Sequence, residues 1–471
     1  MNLQVHQLLQ NDTICAVSTA YGNGAIAVVR LSGKDAINIC NKIFSAQHKN
    51  SKITEAASQT LHFGSIINED QTLLDEVIVG IFRNPHSYTG EDIVEISCHG
   101  SVFIQDQLMK ILIRNGARAA KPGEFTMRAF LNGKMDLAQA EAVADLISSN
   151  SSAAHKIAIK QMKGGFSQQI KNLRTELIDL SALLELELDF SEEDVEFASR
   201  EKLSELLKKI YTEVNSLMES YSLGNVLKSG IPVAIIGKPN VGKSTLLNIF
   251  LNEDRAIVSE IPGTTRDTIE DTMNIQGVCF RFIDTAGLRE AKDIIENMGV
   301  ERTYEKIAMA SVIIYMFDIN ENSVEEIKTI ISDFKSRIAG EEKKIILVAN
   351  KIDQLGEYPK GFKDLEELET IFISAKRREN IHLIIESLLK SVNENFLNTD
   401  GTIVTNSRHY EALLRSTDSM KEALVRLNEG ISNDLLSTHI RSALHYLSVI
   451  TGDITNEDIL DTVFGKFCIG K

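Results

Sequence analysis

Tryptophan is absent from this 471-residue chain, prolines number six and cysteines five. The cysteines stand at positions 15, 40, 98, 279 and 468, an odd and unpatterned set. Such a set speaks against a disulfide framework, offers no metal-binding spacing and fits a reducing compartment. No apolar run approaches the roughly 20 residues of a membrane-spanning helix. The stretch Met1 to Asp12 lacks the basic start and apolar core of a signal peptide, so the expected location is cytoplasmic. Low-complexity tracts and fixed-period repeats are missing as well. Positive charge is in deficit: 50 Lys and Arg against 66 Asp and Glu leave a net charge of −16. Contact with nucleic acid would therefore need local basic patches rather than the overall field. What is present, 43% hydrophobic and 25% charged residues, is the make-up of a soluble globular protein. The length exceeds one ordinary core and implies about two to four domains.

Apolar, β-prone runs at Ile14–Val17, Ala25–Leu31, Glu76–Phe82 and Ile93–Ser97, with helical patterns at Lys34–Phe44 and Val102–Asn115, predict an N-terminal α/β domain over 1–124. From Thr126 the period becomes helical, with segments Ala138–Ser149, Ala153–Leu188 and Glu201–Tyr221. Gly224 and Gly230 bracket the entry to a central unit in which strands and helices alternate, the pattern of a parallel sheet covered on both faces. Helical periodicity returns through Arg408–Asn428, Leu435–Thr451 and Asn456–Phe464, the last opened by a capping signal of Thr455 and Asp458. The expected fold class is α/β plus all-α. A helical domain over 125–225 and 396–471 is interrupted by an inserted P-loop domain over 226–395.

The central unit carries the chemistry. Gly237-Lys-Pro-Asn-Val-Gly-Lys-Ser244 follows the apolar run Ile231–Ile236 and precedes a helix-like run from Thr245 to Leu251. This strand, loop and helix context separates a phosphate-binding loop from a chance Gly-rich turn. Its N–H groups and the helix dipole face a β-phosphate, Lys243 reaches the β- and γ-phosphates, and the Ser244 hydroxyl holds Mg²⁺. Four further strings follow in the order a GTPase requires. Gly263-Thr-Thr-Arg-Asp267, after the short strand Ala256–Ser259, offers Thr265 to Mg²⁺ and the γ-phosphate. Asp284-Thr-Ala-Gly287 ends a strand, placing Asp284 on the Mg²⁺ side and the Gly287 N–H at the γ-phosphate. Asn350-Lys-Ile-Asp353 supplies a carboxylate for the guanine N1–H and N2–H₂, a donor pair adenine lacks, while Asn350 and Lys351 fix the loop and cover the base. Ser374-Ala-Lys376 gives backbone contacts to the guanine oxygen. Each string alone fits ordinary strand-end chemistry; the ordered set points to GTP.

Leu288 stands where Ras-like enzymes carry the glutamine that orients water. Leucine cannot hydrogen-bond water, so another group is needed. Glu290, Asp293 and Glu296 are the candidates, against a plain solvated face.

Gly-x-Pro-Asn-x-Gly-Lys-Ser, Gly-Thr-Thr-Arg-Asp and Asp-Thr-Ala-Gly-Leu-Arg together resemble the potassium-dependent GTPases of the TrmE–Era–Septin branch. Phe467-Cys-Ile-Gly-Lys471, Asp12-Thr-Ile-Cys, Gly24 to Gly33, Ser87 to Asp92, Pro122 to Phe125 and Arg128 to Ala142 narrow the resemblance to the tRNA modification GTPase family MnmE (TrmE), over essentially the whole chain. The resemblance implies a K⁺ site of Asn240, Ser259, Ile261 and Thr264, the water-orienting role for Glu296, and catalytic roles for Thr264 and Thr265. Its GTP-binding set is Asn240, Val241, Gly242, Lys243, Ser244, Thr245, then Ser259, Glu260, Ile261, Pro262, Gly263, Thr264 and Thr265. It continues through Asp284, Thr285, Ala286, Gly287, Asn350, Lys351, Asp353, Ser374, Ala375 and Lys376.

The resemblance further implies that the N-terminal domain dimerises and binds a tetrahydrofolate derivative, 5-formyl or 5,10-methylene, at Arg30, Glu95, Lys134 and Lys471. A pteridine needs a carboxylate and its glutamate tail needs cations, which these residues supply; taken singly, each is more often a surface ion-pair residue. The implied reaction places an aminomethyl or carboxymethylaminomethyl group at C5 of the tRNA wobble uridine, in a heterotetramer with the flavin- and NADH-using MnmG (GidA). Cys468 invites a catalytic-thiol reading, against the commoner case of a merely neighbouring thiol. Lys156, Lys160, Lys163, Lys171 and Arg174 form a stripe that suits phosphates or, more simply, solvent. The acidic run Glu185 to Glu196 reads as a solvated face or a surface for a basic partner. Two rivals, a ribosome-assembly GTPase and a membrane-associated septin- or dynamin-type GTPase, require a basic RNA-binding domain or a membrane-binding segment, neither of which is evident.

Overall fold

The computed structural model describes residues 12–47, 52–68, 70–189, 200–254, 271–283, 308–321, 324–337, 343–355, 370–391, 401–429 and 433–470. The chain divides into two compact units, Met1–Ile147 with Ile159–Val214 and Ala412–Lys471, and Ser148–Ala158 with Asn215–Glu411. Among the described residues no helix is long and apolar enough to cross a membrane.

The first unit holds a seven-stranded sheet in the order β3 (Phe44–Ala46), β4 (Thr60–Ile67), β5 (Leu73–Phe82), β6 (Ile93–His99), β2 (Ile26–Ser32), β1 (Thr13–Val17), β7 (Ala117–Ala119). Only the β1–β7 pairing is parallel. Strand alternation sends Val29, Leu31, Val77, Val79, Val94 and Ile96 to one face. There they pack against Ile37 and Cys40 of helix α1 (Ala36–Ile43) and Leu108 and Leu112 of α2 (Val102–Arg114). The opposite face is covered over β1, where Ile14 and Ala16 pack on Phe125, and is open elsewhere, with Ile26, Leu61, Phe63 and Ile78 between 44% and 75% exposed.

Helices α3 (Glu124–Leu131) and α4 (Leu137–Ser148) continue the first unit. The C-terminal helix α13 (Glu457–Phe464) packs on them through Leu137, Ala140, Leu460, Val463 and Phe464. The segment expected as one helix over Ala153–Leu188 is two, α5 (Ser152–Met162) and α6 (Gly165–Asp189). Gly164, at φ +87°, ends the first, because a left-handed residue cannot continue an α-helix. The cap of α13 is Asn456 rather than Thr455: its Oδ1 accepts from the Ile459 N–H at 2.9 Å. Gly224 lies inside α7 (Arg200–Ser229), where the Val404 carbonyl occupies the space of a β-carbon. Strands β3, β4 and β7 had no clear sequence signal. Two have only three residues, and β4 carries its apolar Leu61 and Phe63 on the open face. α6 packs along α12 (Asn433–Thr451), and α11 (Ser407–Asn428) precedes it.

The second unit is built on a six-stranded sheet in the order β13 (Thr370–Phe372), β12 (Lys344–Asn350), β11 (Val312–Asp318), β8 (Ile231–Ile236), β10 (Val278–Phe282), β9 (Asp271–Ile275). All neighbours are parallel except β9 on β10. Every residue of β8 is buried, as a strand covered on both faces must be. Val233 and Ile235 face Leu246 and Phe250 of α8 (Lys243–Asp254) and Ile384 of α10 (Ile381–Ser391). Ala234 and Ile236 face Ile327 and Phe334 of α9 (Val324–Arg337). The fold is thus the expected α/β plus all-α combination, with the parallel-dominated sheet carrying helices on both faces.

The turn of the β9–β10 hairpin is fastened to the segment before and at the start of α5. Asn274 Nδ2 donates to the Asn150 carbonyl at 2.7 Å, and Asn274 Oδ1 accepts from the Gly277 N–H at 3.1 Å. The Ala153 N–H reaches the Gly277 carbonyl at 3.4 Å.

Candidate functional site

The strands β8, β11, β12 and β13 end on the same edge of their sheet, the edge at which open α/β folds bind ligands. A cleft of about 580 Å³ lies there, lined by Asn240, Gly242 and Thr245 of the Gly-rich loop and helix start, by Asn350, Lys351 and Asp353, and by Ala375 and Lys376. Three strings that lie far apart in sequence therefore share one wall.

Asn350 joins them. Its side chain is buried, Nδ2 donates to the Val241 carbonyl at 2.7 Å and Oδ1 accepts from the Ala375 N–H at 2.9 Å. The loop itself needs left-handed backbone at Asn240 (φ +62°) and Gly242 (φ +105°). A side chain at 242 would run into the Asn350 amide. Lys243 Nζ donates to the carbonyls of Gly237 at 2.7 Å and Lys238 at 2.6 Å, so its ammonium lies over the loop. Ser244 and Thr245 follow on the first turn of α8. Asp353 Oδ1 accepts from the Ser374 hydroxyl at 2.8 Å, and the Arg377 N–H binds that same hydroxyl at 3.2 Å. Lys351, itself left-handed at φ +69°, places Nζ 2.6 Å from Asp318 Oδ2. Burial raises the Asp318 pKa, but the Lys351 ammonium and Asn320 donors outweigh it and hold the carboxyl below its ordinary value. The hydrogen bond to Asp318 raises that of Lys351 in turn.

No sequence motif announces Asp318. The available signal was an apolar run, Val312 to Phe317, that ends on an acid at a strand end. Asn248, Gln354 and Arg378 also line the cleft without a motif to announce them. Ser259, Glu260, Ile261, Pro262, Gly263, Thr264, Thr265, Asp284, Thr285, Ala286, Gly287, Leu288, Glu290, Asp293, Glu296 and Lys471 lie outside the described residues, as does the strand expected at Ala256–Ser259.

In the first unit, Arg30 and Glu95 are cross-strand neighbours on β2 and β6. Arg30 Nε and Nη2 both donate to Glu95 Oε1, at 2.9 and 2.7 Å. The guanidinium lies 5.6 Å from the Tyr88 ring centroid and 5.7 Å from that of Phe125. Lys134 Nζ donates to the Pro85 carbonyl at 3.0 Å, on the same β5–β6 connection that carries Tyr88. Gly470 accepts from the Ser18 hydroxyl at 3.2 Å, just beyond the end of β1 and next to β2. Arg30, Glu95 and Lys134 thus gather around one loop.

Beneath that loop the N-terminal motifs converge in a partly buried ion network. Arg118 bonds Asp12 at 2.7 Å and Glu124 at 2.6 Å; Arg128, 2% exposed, bonds Asp12 at 2.6 Å, Glu124 at 3.1 Å and Glu91 at 3.2 Å. Burial raises the Asp12 and Glu124 carboxyls, and the two guanidinium groups more than reverse it, leaving both below their ordinary values. In the lysine stripe, Lys171 pairs with Asp136 at 3.3 Å and Arg174 with Asp453, while Glu185 of the acidic run pairs with Arg441 at 2.6 Å. Cys468 is exposed and the other four cysteines are buried.

Comparison with known proteins covers both units. Residues 13–134 match the model of the GTP-binding protein TrmE N-terminus, and residues 137–468 match that of the MnmE helical domain. The tRNA modification GTPase MnmE of Christiangramia forsetii is 49% identical over 475 residues, spanning 98% of this chain and 99% of that one. Its counterpart in Cytophaga hutchinsonii is 50% identical over 461 residues, 98% of each chain. That of Bacteroides fragilis strain ATCC 25285 is 49% identical over 470 residues, 98% of this chain and 100% of that one. A solved G domain of the T. maritima FeoB iron transporter covers 35% of this chain and 99% of its own at 22% identity, with a TM-score of 0.26, too low to add to the reading. Matches over both units and near-half identity from end to end lead to one conclusion: the chain belongs to the tRNA modification GTPase MnmE family.

Proposed function

We propose that this chain is a K⁺-activated GTPase that works in the cytoplasm as a homodimer. Together with a flavin- and NADH-dependent partner of the MnmG (GidA) kind, it installs a (carboxymethyl)aminomethyl group at C5 of the tRNA wobble uridine. The observation that carries this reading is the cleft in which Asn350 ties the Gly237–Ser244 loop to Ala375, with Asp353 fixed beside it by Ser374. A carboxylate held there selects guanine, because adenine has no matching donor pair and would leave the acid unpaired. Lys243 and the N–H groups of the loop face the phosphates, and Ser374, Ala375 and Lys376 contact the base.

The metal roles extend this reading. Ser244 suits Mg²⁺ because it opens a helix beside the loop, with Thr265 as the second protein ligand. Asn240 suits K⁺ because its left-handed backbone lies in the loop at the cleft, with Ser259, Ile261 and Thr264 completing the set. Held by these residues, the two cations would supply positive charge against that developing on the transferring phosphoryl group. The chain's own share is to hold the loop through Asn350, keep Lys243 at the phosphates and orient water through Glu296. Glu260 to Gly263 and Asp284 to Gly287 complete the proposed GTP-binding set.

The folate role rests on Arg30, Glu95 and Lys134. A planar guanidinium held by a carboxylate and flanked by Tyr88 and Phe125 suits a flat heterocycle with an acidic tail, for which Lys134 and Lys471 would supply cations. Bound tetrahydrofolate supplies the one-carbon unit. The open face of the first sheet, with Leu61, Phe63 and Ile78 exposed, supports dimerisation, since a monomer gains nothing from leaving such a face in water. The proposed domains keep the bounds 1–124 for the folate-binding and dimerising domain, 125–225 with 396–471 for the helical domain, and 226–395 for the G domain.

Mass analysis of wobble uridines in tRNA from cells lacking the chain tests the whole. Loss of the C5-aminomethyl-type nucleosides is expected; an unaltered nucleoside profile overturns the proposal.

A further inference from the structure

We propose that Asp318 is a positioning residue of the nucleotide site, acting through Lys351 to fix the wall against which the guanine base lies. This inference rests on the guanine-site reading above. Asp318 closes β11 directly beside Asn350, its partner in the parallel ladder with β12. Its side chain is only 4% exposed and its two oxygens have separate tasks. Oδ1 accepts from the Asn320 N–H at 2.9 Å and from Asn320 Nδ2 at 3.0 Å, which fixes the carboxylate in the turn after the strand. Oδ2 is thereby aimed at Lys351 Nζ, 2.6 Å away.

The consequence falls on the lysine's stem. Lys351 lines the cleft between Asn350 and Asp353, and a free lysine chain would sample many rotamers there. Anchored at its ammonium by Asp318 and at its backbone by the left-handed turn, the stem has little freedom left. A flat base then meets an apolar surface already in place, and the ordering cost is met on folding instead of on binding. The charge has a second effect: an ammonium bonded to Asp318 competes less with the base for the Asp353 carboxylate.

Nucleotide titrations of the full-length protein test this, with binding of GDP followed by calorimetry. Asp318→Asn should weaken GDP by about tenfold, the size of one charge-assisted hydrogen bond. In a Lys351→Ala background the same substitution should change affinity by less than about twofold, since the residue through which it acts is gone. Equal losses in both backgrounds, or no loss in either, would overturn the proposal. Lys351→Met keeps the stem and removes the ammonium; it should match Asp318→Asn, and wild-type affinity for GDP would overturn the proposal even if the Asp318 variant fails to fold. Asp353→Asn reports on the underlying reading separately. It should shift preference from guanine to xanthine nucleotides, and retained guanine preference would remove the guanine site itself.

Discussion

Asn350 shows how much a single amide can carry. Its two polar ends satisfy a carbonyl of one loop and an N–H of another, both buried, so removing it leaves two partners without hydrogen bonds. Asn350→Ala should destabilise the second unit by about 2–3 kcal/mol, readable by chemical denaturation, and should abolish measurable GDP binding. Asn240 is the other residue whose chemistry is specific. GTP turnover should be several-fold faster in KCl than in NaCl, and Asn240→Ala should erase that difference; equal rates in the two salts for the unaltered protein would remove the potassium assignment. The Asn-Lys-x-Asp string is visible to any reader of the sequence. That its asparagine bonds the loop 109 residues earlier depends on where β12 ends.

At the scale of elements, the β9–β10 hairpin has a position of consequence. It is bounded in sequence by the segment holding Thr264 and Thr265 on one side and by Asp284 to Gly287 on the other, and its turn is fastened to Asn150 and Ala153. Asn274→Ala removes both side-chain bonds of the turn. Amide exchange should then rise together across the hairpin, residues 271–283, and the segment around Ala153, while β8 and β11 keep their protection. Protection lost in the hairpin alone would show that the contact does not couple the two. The central strand β8 and the C-terminal helices could be read from periodicity because each buries a contiguous face. The break at Gly164 is invisible to periodicity because apolar spacing persists across it, while the positive φ ends the helix.

Across the whole molecule, the N-terminal motifs illustrate convergence. Asp12, Glu91, Arg118, Glu124 and Arg128 come from separate stretches and meet in one network. Both Asp12 and Glu124 have lowered folded pKa values, so the stability they add is complete above their unfolded values of about 4 and is lost as pH falls through the folded ones. Glu124→Gln should cost about 3 kcal/mol at pH 7, chiefly by leaving the buried Arg128 guanidinium under-paired, with the partly exposed Arg118 losing a partner as well, and should flatten the acid limb of a stability–pH curve. An unchanged curve would place the acid sensitivity elsewhere.

The sequence by itself determined the class of fold, the order of the nucleotide-binding strings and the family, because each depends on local chemistry: a glycine where φ is positive, a lysine and serine at a helix start, an apolar strand before each loop. The tertiary structure alone decided which partners those residues take. Asp318 beside Lys351, Asn350 between two loops, Arg30 on Glu95 and the five-residue ion network are all long-range meetings. Their geometry follows from how strands are ordered in a sheet, and strand order has no local signature.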